Sequence, residues 1–432
     1  MRWPIAVFAL PLGCANVWGF EEPVLDAGPP PIVREPCFEN DKIEIDDCGD
    51  GASRSRVCLE GGWSSFSACA KPGWRAVPPA PIAGRISHSA VWTGDELIVW
   101  GGRGPDEAFN DGAAYDPVKD TWRVLAPAPL SPRIDHVAVW MGKEMLVWGG
   151  RIDGSSTTSY FADGATYDPR SNTWQRVAGS PMSSRARVAA VWSTTTREVL
   201  LWGGVYEFDF VAKDGAAFDP ETRKWTHLSL TEAAPRAAPG SLWDGTRMVV
   251  VGGECKGIAA KPCNDVWAYE PSAGLWEKLA TLPTAYAPDL GFAFTAAGPR
   301  RAQAALFAGE KMTTKYGNGA FFDPATRAWT DIAAPATELG EEPARTFATT
   351  FWAEDRLWVY GGFIAGGGFD DHGAIWDPKT RAWSVMPASD LGPRMAASAT
   401  STHDDTFVWG GRREGTDWFV HLNEGRALRH AR

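Results

Sequence analysis

Seven times along this chain an apolar run ends in a glycine doublet or a close variant: ELIVWGG, EMLVWGG, EVLLWGG, RMVVVGG, QAALFAG, RLWVYGG and DTFVWGG. Short apolar runs bounded by turn residues predict buried strands. Ahead of the first run, SHSAVW alternates small and large residues, as an inner strand does, and TGDE makes a tight turn between the two. After the doublet come a loop, RGPDEAFN, a third strand in DGAAYDP, and a fourth that starts at Trp122. The Asp at the head of the turn accepts bonds from backbone amides beyond it, and Pro presets φ for the next position. The turn recurs as YDPRSNTW, FDPETRKW, YEPSAGLW, FDPATRAW and WDPKTRAW, with Trp at one fixed offset throughout. Successive doublets lie about 50 residues apart, a period that predicts a propeller.

The doublet, the aromatic-Asp-Pro turn and the tryptophan together resemble the kelch repeat, over residues 73–424. The resemblance implies an all-β fold, a β-propeller with four antiparallel strands per blade. The doublets and the tryptophans Trp74, Trp122, Trp174, Trp225, Trp276, Trp329 and Trp383 number seven each but are offset. Trp74 precedes the first doublet, and no Trp turn follows the last, Gly410-Gly411. Ring closure resolves the offset. GWRAVPPAP from the N-terminal end completes the last blade, which removes the open edges of a linear array. The expectation is a seven-bladed propeller with residues 425–432 left as a short basic tail.

Arg2 followed by the apolar Trp3–Leu12 reads as an export signal over residues 1–15, too short to span a bilayer. Two processing routes stay open. Cleavage after Ala15 uses small Gly13 and Ala15, whereas LPLGC resembles a bacterial lipobox with Cys14 lipidated and Pro11 where Leu is usual. Residues 16–36, acidic and proline-rich, suit an extended linker. Cys37, Cys48, Cys58 and Cys69 then mark a small Cys-rich module, residues 37–70. Its CGDGASRSRVC and GGWSSFSAC resemble fragments of a thrombospondin type 1 repeat, in a different order. With Cys255 and Cys263, eight apart in one loop, these make six cysteines in an exported chain and predict disulfides. Zinc is the rival for the first four, but no C-x-x-C pair or nearby His supports it. The pairing among the four stays open.

Composition adds 23 Trp, 46 Gly and 32 Pro, which suit many short strands with large aromatics between sheets. The net charge of −11 excludes a general nucleic-acid binder, which needs a cationic surface to displace counterions. No later segment is apolar enough for a membrane helix, so membrane contact is expected only through a lipid anchor.

Strand order places the turns from first to second and from third to fourth strand on one face, and most of these are tight. The second-to-third loops and the links between blades share the opposite face, where they are long and varied. Binding is usually built on such loops. An arginine precedes the inner strand in six repeats: Arg85, Arg133, Arg185, Arg236, Arg345 and Arg394. Converging arginines clamp carboxylates or phosphates, and kelch propellers that bind acidic peptides use arginines near this position. A residue present in six of seven repeats fits a repeated structural contact between blades better than six separate ligand contacts. The fifth repeat lacks the arginine, carrying Tyr286-Ala287-Pro288-Asp289, and has Ala308-Gly309 for its doublet.

Loop aromatics Phe109, Tyr160, Phe161, Tyr206, Phe208, Phe210, Tyr316, Phe369 and Trp418, with Glu207 and Asp209, are candidates to stack on sugars or hold a protein partner. Of these, Tyr160, Tyr206, Phe208 and Asp209 are the lead ligand residues. His88 and His136 hold equivalent repeat positions and read as structural, while His372 follows Asp370-Asp371 on the variable face without an evident partner. No catalytic motif, metal-ligand set or cofactor signature is present. Galactose oxidase-like copper enzymes need tyrosine and histidine ligands and a Tyr–Cys crosslink that this sequence does not offer. Sialic acid epimerases share a basic carboxylate pocket, but their propellers are usually six-bladed.

The sequence therefore points to an exported monomer, surface-anchored as a lipoprotein at the outer membrane or periplasmic or secreted. It is expected to bind a protein or glycan and to need no cofactor. The alternatives are an epimerase-like enzyme on an acidic sugar and an envelope scaffold without a discrete ligand.

Overall fold

The computed structural model describes residues 43–49, 52–59, 62–64, 66, 69–154, 157–207, 210–255, 263, 265–281, 294–297, 304–311, 314–335, 345–364, 367–402, 404–415 and 419–430. The regular elements named among them are all β-strands. Six four-stranded antiparallel sheets are built from contiguous chain. The first contains Ser89–Trp92, Leu97–Trp100, Gly112–Asp116 and Thr121–Val124, paired in that order. The others begin at inner strands Val137–Trp140, Ala189–Ser193, Gly240–Trp243, Phe294–Ala297 and Thr349–Ala353. A seventh four-stranded sheet joins Ser398–Ser401, Asp405–Trp409 and Gly425–Arg429 to Gly73–Val77 from the other end of the chain. The inner strands neighbour one another in a closed cycle, the seventh returning to the first. The all-β propeller thus follows from the pairing itself.

One boundary needs correction. Gly425–Arg429, expected as a basic tail, is the third strand of the closing sheet, with Gly425 opposite Trp409 on one side and Val77 on the other. The basic side chains misled the reading. Arg429 is nearly buried because Asp405 takes its charge, its Nε lying 2.7 Å from a carboxylate oxygen.

The tryptophans pack between sheets. Second-strand Trp100, Trp148, Trp202 and Trp409 are almost wholly buried. Each meets the fourth-strand tryptophan of the next sheet, Trp174, Trp225, Trp276 or Trp122, at centroid distances of 5.3–6.0 Å. A buried aromatic of this size removes roughly 150–250 Å² from water, so these pairs carry much of the inter-sheet cohesion. The fourth-strand indoles also donate back to the preceding sheet: Trp122 to Pro78 O at 2.7 Å, Trp174 to Ala126 O at 2.9 Å and Trp225 to Ala178 O at 3.0 Å. Trp74 makes the same bond to Pro387 O at 3.2 Å, so the N-terminal strand occupies an ordinary fourth-strand place in the ring. The Asp-Pro turns close as expected, Asp116 accepting from the amides of Val118 and Lys119 at 2.9 and 3.0 Å.

The Cys-rich segment forms a three-stranded sheet of Ile43–Gly49, Ala52–Leu59 and Gly62–Trp63. Cys48 is bonded to Cys69 and Cys255 to Cys263. Cys58 is disulfide-bonded as well. Cys37, like Cys14 and the signal and linker segments, lies outside the described residues.

Candidate functional site

The six arginines that precede the inner strands are 0–2% exposed. Each donates from Nη1 to the carbonyl of the first glycine of its own doublet: Arg85 to Gly101, Arg133 to Gly149, Arg185 to Gly203, Arg236 to Gly252, Arg345 to Gly361 and Arg394 to Gly410, at 2.9–3.3 Å. An acid at or just before the start of the third strand takes up the charge, Asp111, Asp163, Asp214, Asp265 and Asp370 lying 2.5–2.9 Å away. Only Arg394 has a looser partner, Glu424 at 3.6 Å. Burial lowers the pKa of Arg133, Arg236 and Arg345 against the pull of these acids, and takes Arg394 down to about 10. Of the two roles open to this set, carboxylate clamp and repeated structural contact, the geometry matches the second: a row of internal struts, each tying an inner strand to its own doublet. The fifth repeat's departure, Tyr286–Asp289, lies outside the described residues.

The loop aromatics divide. Phe109 and Phe161 fold onto the struts, with Arg85 and Arg133 4.4 and 4.3 Å from their ring centroids. Tyr160 packs against Ala186, Val205 and Ala237. Tyr206 sits 5.9 Å from Phe210, which is 56% exposed. Phe208, Asp209 and Trp418 lie outside the described residues, as does the side chain of Tyr316. Of the four lead candidates, the described residues therefore include only Tyr160 and Tyr206.

The structure joins His372 to a strut. Nδ1 of His372 lies 2.6 Å from Asp370, which holds Arg345, and the imidazole is otherwise open to solvent. Asp370, Asp371 and His372 each bring one ligand atom within 4.8 Å of the others, the kind of grouping the sequence was not expected to hold. Asp370 is already committed to Arg345, so this chain-adjacent set is a poor cage for a metal.

Sequence reasoning missed the residue that directly follows the doublet in the six repeats that carry a strut arginine. On the variable face these are Arg103, Arg151, Val205, Glu254, Phe363 and Arg412. Each backbone bridges the stretch just after the strut, as Ile86 with Arg103, Ile134 with Arg151 and Met395 with Arg412. The position is fixed by the fold while its side chain varies. Beside it runs a ring of non-glycine residues with positive φ, each two past a strut: Ser87, Asp135, Arg187, Ala238, Phe347 and Ala396. Backbone bonds link neighbours in this ring, Arg187 N to Asp135 O at 3.0 Å, Ala238 N to Arg187 O at 2.8 Å and Ala396 N to Phe347 O at 3.0 Å.

Charge around the ring is uneven. Arg151 is neutralised by Asp135 and Asp153 at 2.8 and 2.6 Å, and Arg187 pairs with Glu254. Across the seventh and first sheets the balance tips positive. Arg103 has Asp153 only at 3.7 Å. The Nε of Arg412 and the Nδ1 of His421 are buried without hydrogen-bond partners. Burial and then Arg103 lower the pKa of Arg412, and burial with the Arg412 and Arg103 charges lowers that of His421. The guanidinium of Arg412 lies 4.5 Å over Phe419, and Phe419 continues through Phe369 to Phe363 at 5.6 and 5.7 Å. A cationic corner thus adjoins an aromatic strip, with Phe419 46% exposed.

Comparison with known proteins agrees with the fold. No curated protein matches this chain. A solved chain described as "Structure of YjhT" is similar at a TM-score of 0.54 and 18% identity, covering 72% of this chain and 99% of that one, which speaks to the fold alone. The family model for the KLHDC2/KLHL20/DRC7 Kelch-repeats domain matches residues 69–241 and 175–362, more than half of the chain, and the protein belongs to this family of kelch-repeat propellers.

Proposed function

We propose that this propeller is a binding module for a protein or glycan, and that its variable-loop face takes an anionic group of the partner at Arg103, Arg412 and His421. One observation carries the reading: the Nε of Arg412 and the Nδ1 of His421 stand buried without hydrogen-bond partners beside a second arginine. Unpaired buried polar groups are costly, and an incoming carboxylate or sulfate satisfies them with charge-assisted bonds. Phe419 and Phe369 supply an adjoining surface for a sugar face or an apolar side chain. The export signal read at the N-terminus and the disulfides favour an oxidising compartment outside the cytosol, with lipidation at Cys14 the route to a surface anchor.

The test is an array of acidic and neutral glycans and peptides probed with the full chain and with R103A/R412A. Acidic members should bind the parent and weaken at least tenfold in the double variant, more at low salt than at high. Unchanged binding in the variant removes the reading.

A second reading rests on His372, whose exposed imidazole and Asp370 partner suit general acid–base work on an acidic sugar. Proton exchange at a sugar carbon, followed by NMR and lost in H372A, would distinguish it.

A further inference from the structure

We propose that the Cys-rich module is a clasp that holds the propeller ring closed. The ring is completed by a strand pair far apart in sequence, with Gly73 opposite Arg429 and Val77 opposite Gly425. No turn connects these strands, so nothing local returns Gly73–Val77 to its place once it leaves. The module lies immediately before that strand and bonds to the closing sheet at its tight-turn end.

The grip has three parts. Within the module, Arg54 lies 4.7 Å from the Phe66 centroid, and Arg56 lies 5.0 and 4.7 Å from those of Trp63 and Phe66, a layered stack that stiffens a sheet too small for a core of its own. At the module's last residues, three positions before the ring strand, Ala70 exchanges two backbone bonds with Ser53, both 3.1 Å, and the neighbouring Cys69 is bonded to Cys48. Across the seam, the Ser55 hydroxyl donates to Asp404, and Arg429 donates to Ser53 O at 3.2 Å while its Nε holds Asp405 at 2.7 Å.

Arg429 is the junction. It sits on the third strand of the closing sheet, binds the second through Asp405 and reaches the module through Ser53. Ser55, Asp404, Asp405 and Arg429 are each 3% exposed. The cavity between module and ring is only about 40 Å³, walled by Phe66 and Arg56 on one side and Trp92 and Phe407 on the other. Such a space suits ordered water rather than a ligand, so this face reads as a built joint. Holding the module against Asp404 keeps Gly73–Val77 at high effective concentration beside its partner strand, and the Cys48–Cys69 bond makes that hold depend on oxidation.

The experiment is hydrogen–deuterium exchange on the full chain, comparing the parent with S55A and with C48S/C69S. Peptides covering 73–77 and 425–429 are read against 189–227, a sheet remote from the seam. The clasp predicts at least tenfold faster exchange at the seam in both variants, with the remote sheet unchanged. S55A removes one hydroxyl and leaves every strand intact, so the comparison survives if C48S/C69S folds poorly. Parental seam exchange in S55A, or an equal rise in all sheets, overturns the proposal.

Discussion

Nε2 of His88 in the first sheet lies 2.8 Å from the hydroxyl of Ser398 in the seventh, bridging the two sheets where the ring closes. His136 repeats the relationship one sheet on, 2.9 Å from Ser89. Both imidazoles are buried beneath tryptophans, Trp409 and Trp100, which meet them edge-on at 5.0 Å. Burial and then the nearby strut arginine push each pKa from 6.5 down to about 3.

That depression makes the ring acid-sensitive. The unfolded chain takes up a proton near pH 6.5 that the folded chain refuses until about pH 3. The stability these histidines preserve is therefore intact above pH 6.5 and falls as pH drops from there toward 3. At pH 5 each contributes a loss of about 2 kcal/mol. Urea midpoints at pH 7.5 and 5 should separate accordingly, and H88Q/H136Q should narrow the gap. An equal gap in that variant would place the acid sensitivity elsewhere.

The first glycine of two doublets, Gly101 and Gly410, faces the histidine of the next sheet. A Cβ at Gly410 would stand 2.8 Å from Cε1 of His88, and the backbone there has φ +71°. G410A combines a left-handed backbone cost with overpacking, about 2–4 kcal/mol together. G245A, also at positive φ but with nothing within 4 Å of the new methyl, meets only the backbone cost. Denaturation of the two variants should show G410A clearly the weaker.

The struts make a different prediction from the carboxylate clamp, the other role open to these arginines. R236A leaves Gly252 O and Asp265 in a pocket that had been closed over a 0%-exposed guanidinium. Removing one member of a buried pair costs about 3–5 kcal/mol. R236K should recover little, because an ammonium does not span both acceptors as the planar fork does. Thermal melts of the three proteins check this.

Much of the scaffold was readable because its chemistry repeats. The doublet, the Asp-Pro turn and the tryptophan recur at fixed offsets, so ring closure through Trp74 could be deduced by matching one set against another. The strut arginines were found by the same periodicity and then credited with two roles, since spacing alone does not tell whether a guanidinium points at solvent or at Gly252 O. The cationic corner was missed for the opposite reason. Arg103, Arg151 and Arg412 share a position with Val205, Glu254 and Phe363, so no repeated residue type marks it. That the Arg429 side chain is internal also escaped the pattern, because its partner Asp405 is a polar residue inside a buried strand.

Arg394 and Arg412 lie in the same repeat, 18 positions apart, and removing each should have opposite consequences. Arg394 donates to Gly410 O at 3.2 Å, and R394A should unfold at lower denaturant. Arg412 has a buried Nε without a partner, and burial, then the like charge of Arg103, lowers its pKa. Relieving that repulsion offsets the lost contact with Phe419, so R412A should be within about 0.5 kcal/mol of the parent. Sites strained for binding commonly behave this way. Measured together, urea stability and affinity for an acidic array member should separate the pair: R412A keeps its fold and loses the ligand. A strongly destabilised R412A would assign that arginine to the scaffold with the other six.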